Sequence, residues 1–178
     1  MSSPILDTAR DELQKIKKLG DKAIVQLSDA ELHVKIDEES NSAAIIIRHM
    51  AGNMRSRWTD FLTSDGEKPD RFRDREFEDH PLSRAELLAE WEDGWRRLFE
   101  AIGPLTDEDL QRTVLIRSEP HSVYQAISRQ VAHYAGHVYQ ILFLGKHLKG
   151  AAWTTLSVPR GQSEAFNRKM IERLKARQ

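Results

Sequence analysis

Apolar residues recur along the chain at the three- and four-residue spacing of amphipathic helices. The stretch Leu6–Leu27 follows this spacing, with Gly20 as an interruption that weakens the helix without ending the pattern. A second helix is predicted to begin after an N-cap at Ser42 and to run to about Leu62, because the Ser-Asp-Gly triplet at residues 64–66 is typical of a helix end. Both stretches therefore predict helices that bury one apolar face.

Two further long helices are predicted in the second half of the chain. Ser83 and Glu86 have the spacing of a capping box, which opens a helix through Ile102, where a Gly-Pro pair ends it. Ser122 begins the longest predicted helix, which continues to about Leu148 and is closed by a glycine two residues later. These helices resemble the first two in length.

The segments between and after these helices have a different character. Asp65–Asp79 is charged and almost free of aliphatic residues, so it predicts a solvated connection, held to the body by Phe72 and Phe77. Thr113–Ile116 is β-branched and apolar and predicts a short extended excursion, which a following Ser-Glu-Pro sequence breaks. Ser163 is predicted to cap a final helix that reaches the C-terminus.

The predicted elements together indicate an all-α fold. Helices of about 20 residues are about 30 Å long, which suits a four-helix bundle. The long connection after the second helix argues against a simple up-down-up-down order. We therefore predict one domain over residues 1–178: a four-helix bundle with a long crossover connection, a short extended excursion before the fourth helix, and a C-terminal helix.

Composition and charge narrow the classes of function. The chain has 27 Lys and Arg against 28 Asp and Glu, so it carries no global basic field for nucleic acid, and we expect no nucleic-acid partner. No apolar run approaches the roughly 20 residues of a membrane span, and acidic residues stand where a signal peptide needs an apolar core. We therefore expect no membrane association and a cytoplasmic location. Because cysteine is absent, any metal must be held by His, Asp or Glu.

The longest predicted helix carries a pair of histidines that could share an ion. His133 and His137 are four residues apart, so both imidazoles lie on one helix face, and the surrounding apolar residues indicate that this face is buried. A bare His-x-x-x-His pair is also typical of hydrogen-bonded core histidines. Both interpretations stay open at this point.

A third histidine lies in the middle of the second predicted helix. His49 is flanked by the apolar run of residues 45–47 and by Met50, and on its own it is more typical of a core residue than of a ligand. Burying three histidines is costly unless each finds a partner, and one shared ion would satisfy all three. The three together therefore favour a metal site between facing helices.

Three segments of the chain together form a recognisable pattern: IIIRHMAGNMRSRWTDFL, SRQVAHYAGHVYQI and the later WTTLSVPRGQSEAFN. With these segments the chain resembles the DinB/YfiT-like superfamily, in a branch of unknown function. The resemblance covers essentially the whole chain and implies a four-helix bundle with a three-histidine divalent metal site. Carried onto this sequence, the ligands it implies are His49, His133 and His137, and the implied metal is zinc, nickel, iron or manganese.

The resemblance also implies a range of functions. Some relatives are thiol-dependent transferases or isomerases and others are described as hydrolases, so we expect a metal-dependent enzyme that activates water or a low-molecular-weight thiol against a small electrophilic substrate. Homodimers are expected as well. No residue is assigned a catalytic role. Two alternatives remain: a non-catalytic metal- or ligand-binding module, and a helical interaction protein whose histidines belong to the core.

Overall fold

The computed structural model describes residues 4–176, which are mostly helical. The α-helices are α1 (Pro4–Ile24), α2 (Asp29–Leu32), α3 (Ala43–Trp58), α4 (Arg84–Ile102), α5 (Val123–Lys149) and α6 (Ser163–Lys175). The strands are β1 (Thr113–Ile116) and β2 (Glu119–Ser122), and 3-10 turns span Arg73–Phe77, Asp107–Gln111 and Gly150–Ala152. This composition agrees with the predicted all-α class apart from the small sheet.

Serine caps begin the three long helices after α1 where the sequence predicts them. The Ser42 side chain accepts the backbone N–H of Ile45, and Ser83 and Glu86 form the predicted capping box. A further capping box joins Ser122 to Gln125 at the start of α5. These side chains bond donors that the first turn of a helix leaves unpaired, so each cap defines where its helix begins.

Two predicted helix boundaries are wrong. Helix α3 ends at Trp58 rather than near Leu62, because Thr59 is extended and Asp60 has a positive φ of 49°. Helix α6 is not capped by Ser163, which is its first residue; the preceding Gln162 makes no side-chain capping bond.

The predicted extended excursion is a β-hairpin. Strand β1 is confirmed, but the Ser-Glu-Pro sequence does not end the extended excursion, since Glu119–Ser122 returns as an antiparallel partner. Arg117 and Ser118 form the two-residue turn with φ values of 56° and 63°, the conformation that matches the strand twist. The Asp65 carboxylate accepts both of their backbone N–H groups, at 2.8 and 2.6 Å, and this stabilises a turn without glycine.

The apolar core lies where the long helices face one another. Helix α3 packs mainly against α4, and α1 packs mainly against α5. Helix α3 also contacts α5, which is the contact that concerns the candidate site. A Cβ at Gly20 would lie only 2.7 Å from Cζ2 of the buried Trp91, so the glycine in the α1 pattern allows that indole to pack directly on the helix backbone.

The connection between α3 and α4 is partly ordered by contact with the body. Phe77 is half-buried and its ring lies 4.8 Å from that of His49, in agreement with its predicted packing role. Phe72 is 62% exposed, so the prediction that it holds the segment to the body is wrong; the Arg75 guanidinium covers its ring instead. Among residues 4–176, no helix has the length and apolar character required to cross a membrane.

Candidate metal centre

Three imidazoles meet at the contact between α3 and α5. Nε2 of His133 lies 3.4 Å from Nε2 of His49 and 3.1 Å from Nε2 of His137. One nitrogen from each of the three rings lies within 4.8 Å of the others. Ligand nitrogens about 2.0–2.1 Å from a tetrahedral ion are separated by about 3.3 Å, which is close to the two distances that Nε2 of His133 makes. The structure brings together all three predicted ligands, and binding itself stays a prediction.

The orientation of the rings follows from the helix geometry. His133 and His137 are one turn apart on α5, and their rings meet edge to face with centroids 4.6 Å apart at 86°. His49 on α3 approaches His137 edge to face as well, at 4.8 Å and 68°. Because the rings do not stack, their edges and Nε2 atoms point into a common space. This is the arrangement that a metal ion requires from three monodentate ligands.

A carboxylate on the remote side of His49 determines which nitrogen is free. Nδ1 of His49 lies 2.9 Å from Oε2 of Glu76, and since an ionised carboxylate only accepts, the imidazole donates its Nδ1 proton. In the neutral form that binds metals, the lone pair of His49 would then lie on Nε2, the atom that is close to His133. A carboxylate behind a metal-binding histidine fixes ring orientation and raises ligand basicity, and Glu76 occupies that position.

Arg71 holds this carboxylate in turn. Its Nε donates to Oε1 of Glu76 at 2.8 Å and its Nη2 to Oε2 at 2.9 Å, a planar fork across both oxygens. Burial opposes the charge of Glu76, but the hydrogen bonds from His49 and Arg71 outweigh it and keep the pKa of the carboxyl below its ordinary value. Glu76 is therefore an anion at neutral pH.

The histidines on α5 have different environments behind their rings. Nδ1 of His137 lies 3.0 Å from Oε1 of Gln140, which accepts a hydrogen bond from it. Nδ1 of His133 is buried and has no hydrogen-bond partner among residues 4–176. Burial, together with the neighbouring His137 and His49, lowers the pKa of His133 to about 3, and burial lowers the pKa of His137 as well. Both are neutral at pH 7, the state in which histidine binds metals.

The group offers three imidazole ligands, two of which are partly exposed. His49 is 4% exposed, whereas His133 and His137 are partly exposed. Within the described residues, the metal-competent group contains only these three side chains, and Glu76 contacts the Nδ1 side of His49 rather than the shared space. An ion held here would keep its full charge and have coordination positions for water or a substrate.

Glu76 is the residue that sequence reasoning missed. It lies in the charged connection, 27 residues after His49, where no periodic pattern indicates burial. One signal was present in α3: Gly52, one turn after His49, is a glycine inside a helix. A Cβ there would overlap Oε1 of Glu76, so this glycine provides the space in which the carboxylate reaches His49.

Tyr134, next to the ligand His133, links the two ligand-bearing helices. Its hydroxyl accepts from Nε1 of Trp58 at 3.0 Å and donates to Oδ1 of Asn53 at 2.9 Å. The tyrosine is fully buried, and burial raises the pKa of its phenol far above the ordinary value. It therefore stays protonated and connects α5 to α3 through hydrogen bonds; it does not act as a general acid.

Replacing Tyr134 with phenylalanine is expected to lower the free energy of unfolding by about 1–3 kcal/mol, because the buried Trp58 donor and Asn53 acceptor both lose their bond to the hydroxyl. Urea unfolding followed by tryptophan fluorescence measures the change. Tyr139→Phe is the matched control, since Tyr139 is on the same helix and 61% exposed. Equal unfolding free energies for the two variants would contradict the bridging role.

Residues 1–162 match the family model of DUF1572, described as a protein of unknown function. No curated protein matches the chain. The matched range contains all three histidines, Arg71 and Glu76, and it ends immediately before α6.

Proposed function

The chain belongs to the DUF1572 family of proteins of unknown function, and from its three-histidine group we propose that it is a metal-dependent enzyme. His49, His133 and His137 would hold one divalent ion, zinc, nickel, iron or manganese. The observation that carries the proposal is the convergence of three imidazole nitrogens at the contact of α3 with α5. Imidazole suits all of these metals, so the ligand set does not select among them.

The side chains around the group have distinct parts in this proposal. Glu76 and Gln140 orient their histidines through the Nδ1 protons, and Arg71 keeps Glu76 ionised and in place. The Phe77 ring covers one side of the buried histidine. A divalent ion bound to three neutral imidazoles supplies a Lewis acid that lowers the pKa of water or of a thiol.

The proposed reaction is hydrolysis of a small electrophilic substrate, or transfer of a low-molecular-weight thiol to it. The chain has no cysteine, so a thiol nucleophile would have to be a second small molecule. Access to the group is supported by the partial exposure of His133 and His137. No side chain is proposed to act as a nucleophile.

We also propose that α1, α3, α4 and α5 form a DinB-like four-helix bundle as one domain. Contacts of α3 with α4, α1 with α5, α3 with α5 and α1 with α4 support this arrangement. In this arrangement the charged connection between α3 and α4 positions Glu76 beside His49. A cytoplasmic location remains part of the proposal.

Turnover assays with and without the ion test the proposed function. The protein, freed of metal with a chelator and then loaded with each ion in turn, is assayed with p-nitrophenyl acetate for hydrolysis. A parallel assay uses 1-chloro-2,4-dinitrobenzene with glutathione or free cysteine for thiol transfer. We expect turnover that needs the ion and disappears in His137→Ala. Stoichiometric ion binding without turnover of either class of substrate would contradict the proposed enzymatic function and support a non-catalytic binding module.

A further inference from the structure

Helix α6 has an apolar face that nothing in the described chain covers. Every residue of Ser163–Lys175 is exposed, including the four large apolar residues of one face, Phe166, Met170, Ile171 and Leu174. Their spacing of four, one and three residues places them together on one side of the helix. Isolated helices of about 12–15 residues are marginal in water, so this helix needs a partner surface for its stability.

The charge of this region is opposite to that of the rest of the chain. Residues 160–178 contain six Lys and Arg and two Asp and Glu, a charge of +4. Because the whole chain carries −1, the first 159 residues carry −5. Basic residues on α6, Lys169 and Arg173 among them, lie beside the apolar face. The body of the same protein is therefore an electrostatically favourable surface for this helix.

An apolar groove of about 510 Å³ lies between the first half of α1 and the first half of α5. Its apolar lining includes Ile5 and Tyr124, which are 50% and 48% exposed. The one charged residue in the lining is an acid, Glu12. The groove thus combines an open apolar surface with a negative charge, which matches both properties of α6.

The segment that leads to α6 in the same chain is attached at the opposite end of α1, at Thr154, nine residues before α6 begins. Gln26, just beyond α1, bonds both the backbone N–H and the carbonyl of Thr154, at 2.8 and 3.1 Å. The groove begins near Pro4, about 20 residues and therefore about 30 Å away along the helix axis. The α6 helix of a second copy is not limited by this distance.

We propose that the groove receives helix α6 of a second copy of this chain, so that two chains exchange their C-terminal helices. Each chain then offers one helix and one groove, and two equivalent contacts form around a two-fold axis. The family match ends at residue 162, so the exchanged helix lies outside the matched region. This assembly is independent of the proposed metal chemistry.

Two variants separate the two halves of the contact. Met170→Glu/Ile171→Glu places charge on the α6 face, and Ile5→Glu/Tyr124→Glu places charge in the groove. All four positions are 40% or more exposed, so the fold does not depend on burying them. Val25→Glu is the control, since Val25 is 74% exposed and belongs to neither surface.

Sedimentation velocity of the full-length chain over a range of concentrations gives the assembly state. We expect the wild type and Val25→Glu to have twice the 20.5 kDa chain mass and each double variant to be monomeric. An equimolar mixture of the two double variants should recover a dimer, because one intact helix meets one intact groove. Circular dichroism checks that the variants are folded.

Three results would overturn the exchange. A monomeric wild type at every concentration excludes it, including the case in which that monomer binds vesicles of anionic lipid. A groove variant that remains dimeric shows that α6 pairs with another surface. A mixture of the two monomeric variants that stays monomeric excludes a helix-to-groove contact.

Discussion

Replacing His133 and His137 with alanine together is expected to reduce bound divalent metal from about one ion per chain to none. The two side chains supply two of the three converging nitrogens, and His49 alone leaves a single monodentate ligand. Metal content by plasma mass spectrometry, on protein purified without a histidine tag, measures the loss. His147→Ala is the matched control, because His147 is an exposed histidine on the same helix.

Thermal unfolding gives an independent measure of the same site. A ligand at about 100 times its Kd stabilises the native state by about 2.7 kcal/mol. For a chain of this size that corresponds to a rise in Tm of about 5–10 °C. The wild type and His147→Ala should show this rise with the correct ion, and the double variant should not. An unchanged metal content in the double variant would contradict the assignment of these ligands. A wild type that stays metal-free with zinc, nickel, manganese and ferrous iron would also contradict it, and the histidines would then be core residues.

Replacing Glu76 with glutamine is expected to weaken ion binding by about 10–100-fold. Partners behind metal-binding histidines typically contribute an effect of this size, and Glu76 is the partner of Nδ1 of His49. Glutamine retains a hydrogen-bond acceptor but lacks the negative charge that makes the imidazole a stronger ligand. Competition against a chelating metal indicator measures the affinity of wild type and variant.

The control for this variant comes from the same 3-10 turn. Asp74 is exposed, so Asp74→Asn changes the local charge equally without touching His49. We expect wild-type affinity for Asp74→Asn. If Glu76→Gln also bound the ion with wild-type affinity, the negative charge of Glu76 would have no part in ion binding, and the expected effect would be disproved.

The three histidines were accessible to sequence reasoning because two rules apply to them. A four-residue spacing places His133 and His137 on one helix face, and the cost of burying histidine without a partner brings in His49. Both rules depend on helical periodicity, which is strong in α3 and α5. The structure agrees with the expectation that the three side chains meet.

Glu76 was out of reach because its position depends on tertiary contacts alone. The charged connection has no periodic pattern of apolar residues. Glu76 is held in place by its hydrogen bonds with Arg71 and His49, and no local pattern in the sequence predicts these contacts. The hairpin shows the same limit. Strand β2 contains Pro120, which predicts a break, but the Asp65 carboxylate stabilises the preceding turn from 52 residues away in the chain.

The ligands are distributed unequally along the chain, and this affects how an ion would couple to folding. His133 and His137 are four residues apart, while His49 is 84 residues from His133. An unfolded chain therefore retains the two-histidine part of the group whenever a single turn of α5 forms. Residual binding to that state subtracts from the stabilisation that the native site gives. The preference of the ion for the native chain would thus depend on His49, whose arrival requires α3 to pack against α5.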